Sequence, residues 1–175
     1  LGEESGGCGV QKGAVSEDAI QMNRKFISLT VNGQERSLDV EARTTLLDLV
    51  REQCGLTGAK LGCDIQVCGA CTLLVDGKPV SACSMLAVDA DGCEVLSIEG
   101  WATQGKLHRL QEGFMEFGAL QCGYCTSGFI LSAKALLDEN PKPSDQQIRD
   151  YLAGNFCRCG CYQEIMQAVK NAAGS

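Results

Sequence analysis

Four cysteines dictate how the middle of this chain must run. Cys63, Cys68, Cys71 and Cys83 lie in LGCDIQVCGACTLLVDGKPVSAC, with four, two and eleven residues between successive members. Three thiols packed this closely can converge on one centre only if the backbone wraps it tightly. Gly58, Gly62, Gly69 and Ala70 keep side chains out of that wrap, and peptide N–H groups in it can point at the sulfurs. A second set follows, Cys122 and Cys125 in QCGYC and then Cys157 and Cys159 in NFCRC. Two metal centres in one small chain is the reading these spacings invite.

Twelve cysteines in 175 residues mean either a secreted disulfide framework or a metal protein. The spacings favour metal, although an even cysteine count is also what a disulfide framework shows. A chain of this length forms one or two small domains with modest cores, so a metal cross-link in each half would be structural as well as functional. The single histidine, His108, excludes a Rieske centre, a Cys2His2 finger and a Ser-His-Asp triad of the usual kind, and reads as a surface or helix residue. A formal charge of −7 without a lysine and arginine cluster argues against nucleic acid as a partner. No apolar run approaches the length of a membrane span. A cytoplasmic, soluble protein is expected, with export to the periplasm left open.

Residues 1–23 are polar and glycine-rich without apolar periodicity and read as a flexible arm carrying Cys8. From Lys25 the alternation of Ile27, Leu29 and Val31 predicts a strand, with Asn32-Gly33 as a hairpin turn and Leu38 and Val40 on the return strand. TTLLDLVREQC predicts a short helix behind a Thr45 N-cap, stopped by Gly55. The cysteine loop then runs into a second hairpin, Thr72 to Val75, Asp76-Gly77 and a strand ending at Cys83; a last strand is expected over Val95 to Ile98. This is an α+β unit over 24–100 with the β-grasp order of elements. Beyond Gly100 the periodicity is helical. Leu107, Leu110, Phe114 and Phe117 mark one helix, and Phe129, Ile130, Ala133, Leu136 and Leu137 a second. A Ser144/Gln147 capping box opens a third, with Ile148, Tyr151 and Leu152, and Tyr162, Ile165, Met166 and Val169 mark a fourth. These predict an all-α four-helix bundle over 101–175.

The first cysteine set has the plant-type ferredoxin spacing of a 2Fe-2S cluster. Zinc also accepts four thiolates, but its structural sites usually come as paired close spacings. The second set is less specific, because CxxC also serves zinc and redox dithiols. Each of its pairs precedes a helix, so two helix N-termini can face one anionic centre in a nearly two-fold arrangement. Cys54 and Cys93 read as packing residues. Cys161 extends the second pair to CRCGC, and spacing alone does not say which two of the three ligate.

With both sets in place, the chain resembles the small iron-sulfur subunit of the xanthine oxidase family of molybdenum hydroxylases, over roughly residues 25–172. The resemblance rests on TGAKLGCDIQVCGACT, VSAC, LQCGYCTSG and GNFCRC in that order, and is greatest to small subunits of the carbon monoxide dehydrogenase and aromatic-heterocycle hydroxylase type. It implies a plant-type ferredoxin-like domain followed by a helical 2Fe-2S domain. Cys63, Cys68, Cys71 and Cys83 would hold one cluster and Cys122, Cys125, Cys157 and Cys159 the other, with Gln121 contacting the molybdopterin of a large partner subunit. Electrons would then pass through both clusters to FAD on a flavin subunit, a haem protein or another acceptor, with no substrate site on this chain. A free two-cluster ferredoxin and a structural zinc protein are the competing readings. Two departures from the family pattern stand out. CxPG is here Cys125-Thr126-Ser127-Gly128, which should loosen a helix start. CRCTGY is here Cys157-Arg158-Cys159-Gly160-Cys161-Tyr162, with Cys159 retained as ligand.

Overall fold

A computed structural model describes residues 23–102 and 105–174; residues 1–22, which include Cys8 and nearly all of the expected arm, lie outside the described residues. The chain opens with strands β1 (Arg24–Val31) and β2 (Gln34–Glu41), paired antiparallel from Arg24↔Glu41 to Val31↔Gln34. Asn32 and Gly33 both adopt positive φ, as the tight turn between them requires. A second hairpin, β3 (Thr72–Val75) and β4 (Lys78–Ser81), turns on Asp76-Gly77 in the same way. Strand β5 (Glu94–Leu96) lies between the hairpins, parallel to β1 and antiparallel to β3, so the sheet order is β2-β1-β5-β3-β4.

Helix α1 (Leu46–Asp48) starts behind Thr45, whose side chain accepts the Asp48 N–H at 3.1 Å. It does not run on as an α-helix. Residues Leu49–Gln53 form a wider π turn, with the Cys54 N–H reaching back five residues to the Leu49 carbonyl at 3.1 Å. The wider turn keeps Leu46, Leu47, Leu49 and Val50 all buried against the sheet, where each side chain contributes roughly 1.5–3 kcal/mol. Cys54 and Cys93 are half-buried and pack on the edge of the same core. The last strand is shorter than the apolar pattern suggests. Ser97 is held by both amide atoms of Asn32, at 2.8 and 2.9 Å, and Ile98–Gly100 become a 3-10 turn.

Four helices follow: α2 (Arg109–Glu116), α3 (Thr126–Glu139), α4 (Asp145–Tyr151) and α5 (Tyr162–Ala173). Leu110, Phe114, Phe129, Ile148 and Ile165 form their common core. Leu107 stays outside α2 and is exposed. The Ser144/Gln147 capping box opens α4. His108 performs the same task for α2, its Nδ1 accepting the Leu110 N–H at 3.2 Å while Gln111 Oε1 accepts the His108 N–H at 2.8 Å. The ring also stacks on Trp101, 4.3 Å between centroids. The architecture is α+β, and Leu74, Leu131 and Ala135 bury a small apolar seam between sheet and helices. Among the described residues no helix is long and apolar enough to cross a membrane.

Candidate metal centres

The first cysteine loop is bent by its backbone. Asp64 and Gln66 both take left-handed conformations, φ +58° and +61°, a strained choice for residues with side chains. The result is a nest in which the Val67 and Cys68 N–H groups each donate to Cys63 Sγ at 3.3 Å. Amides of Ile65, Val67 and Cys68 together pull the Cys63 thiol down to about 6, so it is a thiolate at neutral pH, the form that binds metal. The Cys63 and Cys68 side chains contact each other, and Cys71 contacts Cys83, which lies two residues past β4. Burial pushes the Cys71 thiol up to about 12, against the Cys83 N–H, which favours the thiolate, and with the Cys83 thiol adding to the rise. A positive centre between the sulfurs would reverse that penalty. Gly62 leaves the space such a centre needs: a Cβ there would stand 2.7 Å from Cys68 Sγ.

The second set is assembled by helix ends. Cys125 is the N-cap of α3 and Cys161 the N-cap of α5, and neither helix start takes a side-chain capping bond from them. The loss of proline at Ser127 has not displaced the start of α3, which begins at Thr126 directly behind Cys125. Cys125 and Cys157 share a side-chain hydrogen bond. Burial, then Cys157, pushes the Cys125 thiol up to about 12. At Cys157 burial acts in the same direction, but N–H groups of Cys161, Cys159 and Gly160, together with Cys125, outweigh it and hold the thiol below its ordinary value. Tyr162 Oη accepts the Cys157 N–H at 2.9 Å and ties the turn to α5. Cys122, Cys159 and Gln121 are exposed, whereas Cys161 is 2% exposed, belongs with Cys157 to the helical core and contacts the Cys157 thiol.

The first set fits a two-iron centre, because its sulfurs occur as two contacting pairs, Cys63–Cys68 and Cys71–Cys83. In the second set the Cys157 thiol contacts both Cys125 and Cys161, and among the described residues no three His, Cys, Asp or Glu side chains gather closely enough to hold one metal ion. Apolar side chains stand exposed around each: Ile65 and Val67 beside Cys63, and Leu120 and Tyr124 beside Cys122.

The two sets also touch through their backbones. The Phe156 N–H, next to Cys157, donates to the Cys68 carbonyl at 2.9 Å, and Asn155 Nδ2 donates to the Gly69 carbonyl at 3.1 Å. Gly69 (φ +66°) and Gly128 let the two backbones approach closely, since a Cβ on Gly128 would lie 2.0 Å from Gly69 O. Sequence reasoning missed these contacts. Asn155, a polar residue held 7% exposed immediately before Phe156-Cys157, is the signal that could have revealed them.

Two family models match, a 2Fe-2S iron-sulfur cluster binding domain over residues 29–97 and a [2Fe-2S] binding domain over 97–170. The small FeS subunit of nicotinate dehydrogenase from Eubacterium barkeri is 50% identical over 151 residues, covering 86% of this chain and 96% of that subunit. A solved chain of quinoline 2-oxidoreductase from Pseudomonas putida 86 superposes with a TM-score of 0.84 at 44% identity, covering 87% of this chain and 95% of that one. Aldehyde oxidoreductase from Desulfovibrio gigas matches with a TM-score of 0.82 at 44% identity, over 86% of this chain but only 17% of that one.

Proposed function

The chain belongs to the small iron-sulfur subunits of the xanthine oxidase family of molybdenum hydroxylases, and from that premise we propose how its residues relay electrons. It is the electron-transfer subunit of a multi-subunit oxidoreductase. We assign the ferredoxin-like domain to 24–100, with a β-grasp sheet, and a four-helix bundle to 101–175. Cys63, Cys68, Cys71 and Cys83 would hold one 2Fe-2S cluster, their sulfurs already in contact as Cys63–Cys68 and Cys71–Cys83. Cys122, Cys125, Cys157 and Cys159 hold the second. When bound, such a cluster supplies one-electron chemistry without making or breaking a substrate bond.

The observation that carries this reading is the pairing of sulfurs in the first set and the Cys125–Cys157 contact in the second, with N–H groups aimed at Cys63 and Cys157 where anionic sulfur needs them. Cys159 is kept as the fourth ligand because it is exposed, as Cys122 is, whereas the Cys161 thiol is buried against Cys157. The exposed edge of the second set, with Gln121, Leu120 and Tyr124, fits a large subunit that brings the molybdopterin; Gln121 contacts the pterin. Ile65 and Val67 give the first set its own apolar collar, fitting a flavin subunit or another acceptor. The long aldehyde oxidoreductase chain, which this chain covers only in small part, supports the need for such partners. The Phe156 to Cys68 hydrogen bond joins the two sets directly, from the residue beside Cys157 to a ligand of the first set. The substrate site lies on the large subunit.

The test is direct. The native complex should contain about four irons and matching acid-labile sulfide per copy of this chain, and a larger molybdenum-bearing chain should co-purify. Cys122→Ser should abolish one of two reduced-cluster EPR signals and block electron exit from molybdenum. A colourless, zinc-loaded chain, or both signals surviving in Cys122→Ser, overturns the reading.

A further inference from the structure

Four hydrogen bonds join the helical half to the first cysteine loop, and all run in one direction. Tyr124 Oη donates to the Leu61 carbonyl at 2.6 Å, Ser127 Oγ to Gly58 at 2.8 Å, the Phe156 N–H to Cys68 at 2.9 Å and Asn155 Nδ2 to Gly69 at 3.1 Å. Each donor stands within two residues of Cys125 or Cys157, and each acceptor is a main-chain carbonyl of the stretch that carries Cys63 and Cys68. A trans peptide places its N–H opposite its carbonyl, so drawing these carbonyls toward the helices turns the N–H groups of Gly62, Gly69 and Ala70 away from them.

We propose that Tyr124, Ser127 and Asn155 are positioning residues that hold the two cysteine sites at one separation and orientation, and that electron passage between the sites depends on this clamp. The proposal rests on the function assigned above. Ser127 occupies the position where the family pattern has proline, and proline could not make the bond to Gly58. Tyr124 lies between two ligand cysteines, yet its hydroxyl is spent on the other site's loop. Asn155 is buried where the two backbones meet, so its amide has no alternative partner in water. None of the three touches an iron-binding sulfur in this role; they act through the loop's carbonyls.

The intact complex should be compared with its Tyr124→Phe, Ser127→Ala and Tyr124→Phe/Ser127→Ala forms, with Asn155→Ala as a fourth variant. Iron and sulfide content and each cluster's own EPR signal should be retained, while the spin–spin splitting between the two reduced signals changes. Exchange of the Phe156 amide should quicken about fivefold for each bond removed, the equivalent of one hydrogen bond of about 1 kcal/mol. Splitting and exchange both unchanged in the fully loaded double variant would overturn the clamp. Should Asn155→Ala fail to fold, the two milder variants decide the matter. A wild-type complex without iron would sink the assigned function instead, and Phe156 exchange would still read the clamp.

Discussion

The first cysteine site is made by a short stretch of chain bending on itself, with three of its four thiols inside nine residues and its N–H donors supplied by the same loop. The second exists only once α3 and α5 have been packed side by side, because thirty-one residues separate its two pairs. The local site forces residues with side chains, Asp64 and Gln66, into the left-handed region, whereas the assembled site confines its left-handed turns to Gly123 and Gly160 and depends on the core beneath its helix starts. Strain is the cost of building a site from neighbours in sequence; dependence on distant packing is the cost of building one from helix ends.

That contrast is open to a severe test at Phe114. Phe114→Ala empties the centre of the helical core and should destabilise that half by about 4 kcal/mol. Iron at the second site should be lost while the first-site EPR signal persists; simultaneous loss of both signals would break the distinction. Gly128→Ala attacks the seam instead. Its Cβ would meet the Gly69 carbonyl, so about 3 kcal/mol should disappear from the urea unfolding free energy, and both signals should change together. A shift confined to one signal would show that the halves are less tightly joined than their hydrogen bonds imply.

Cys161→Ala asks for less. Removing a small buried sulfur should cost about 1 kcal/mol in thermal unfolding and leave both EPR signals in place. Loss of the helical-domain signal would move the ligand role from Cys159 to Cys161. The smallest effect concerns His108. Burial, then Lys134, lowers its pKa from the ordinary 6.5, against the opposing pull of Asp138 and Glu112. Only the neutral ring can accept the Leu110 N–H, so the unfolded chain binds the proton more readily. Stability should therefore rise with pH through the window from the lowered folded value up to 6.5 and be flat above it. His108→Asn keeps an N-cap and should flatten the melting temperature across that window. An unaltered slope would place the titration elsewhere.

The difference between the sites also governs what could be read in the residues. Alternation in Ile27, Leu29 and Val31, two tight turns, the Thr45 cap and the Ser144/Gln147 box all act over a few residues, and each is present in the fold. Features that answer to distant neighbours were not visible. The π turn at Leu49–Gln53 follows from fitting four apolar side chains to the sheet, and the early end of β5 follows from Asn32 capturing Ser97. His108 reads as an undistinguished surface residue until Trp101 stacks on it and Gln111 completes its box. Ser127 looks like a loosened helix start until Gly58 comes within 2.8 Å. In each case the deciding partner is remote in the chain or depends on a three-dimensional contact.

The parallel pairing of β1 with β5 sets a schedule for biogenesis. Thr30 and Val31 wait for Glu94 and Val95, so the sheet cannot seal until a strand some sixty residues downstream has been made. Cys63, Cys68, Cys71 and Cys83 all leave the ribosome before that strand does. At roughly 5–20 residues per second, the nascent loop has about a second or so between the last thiol and the closing strand. During that interval the four thiols stand on a chain that has not yet committed to its final topology.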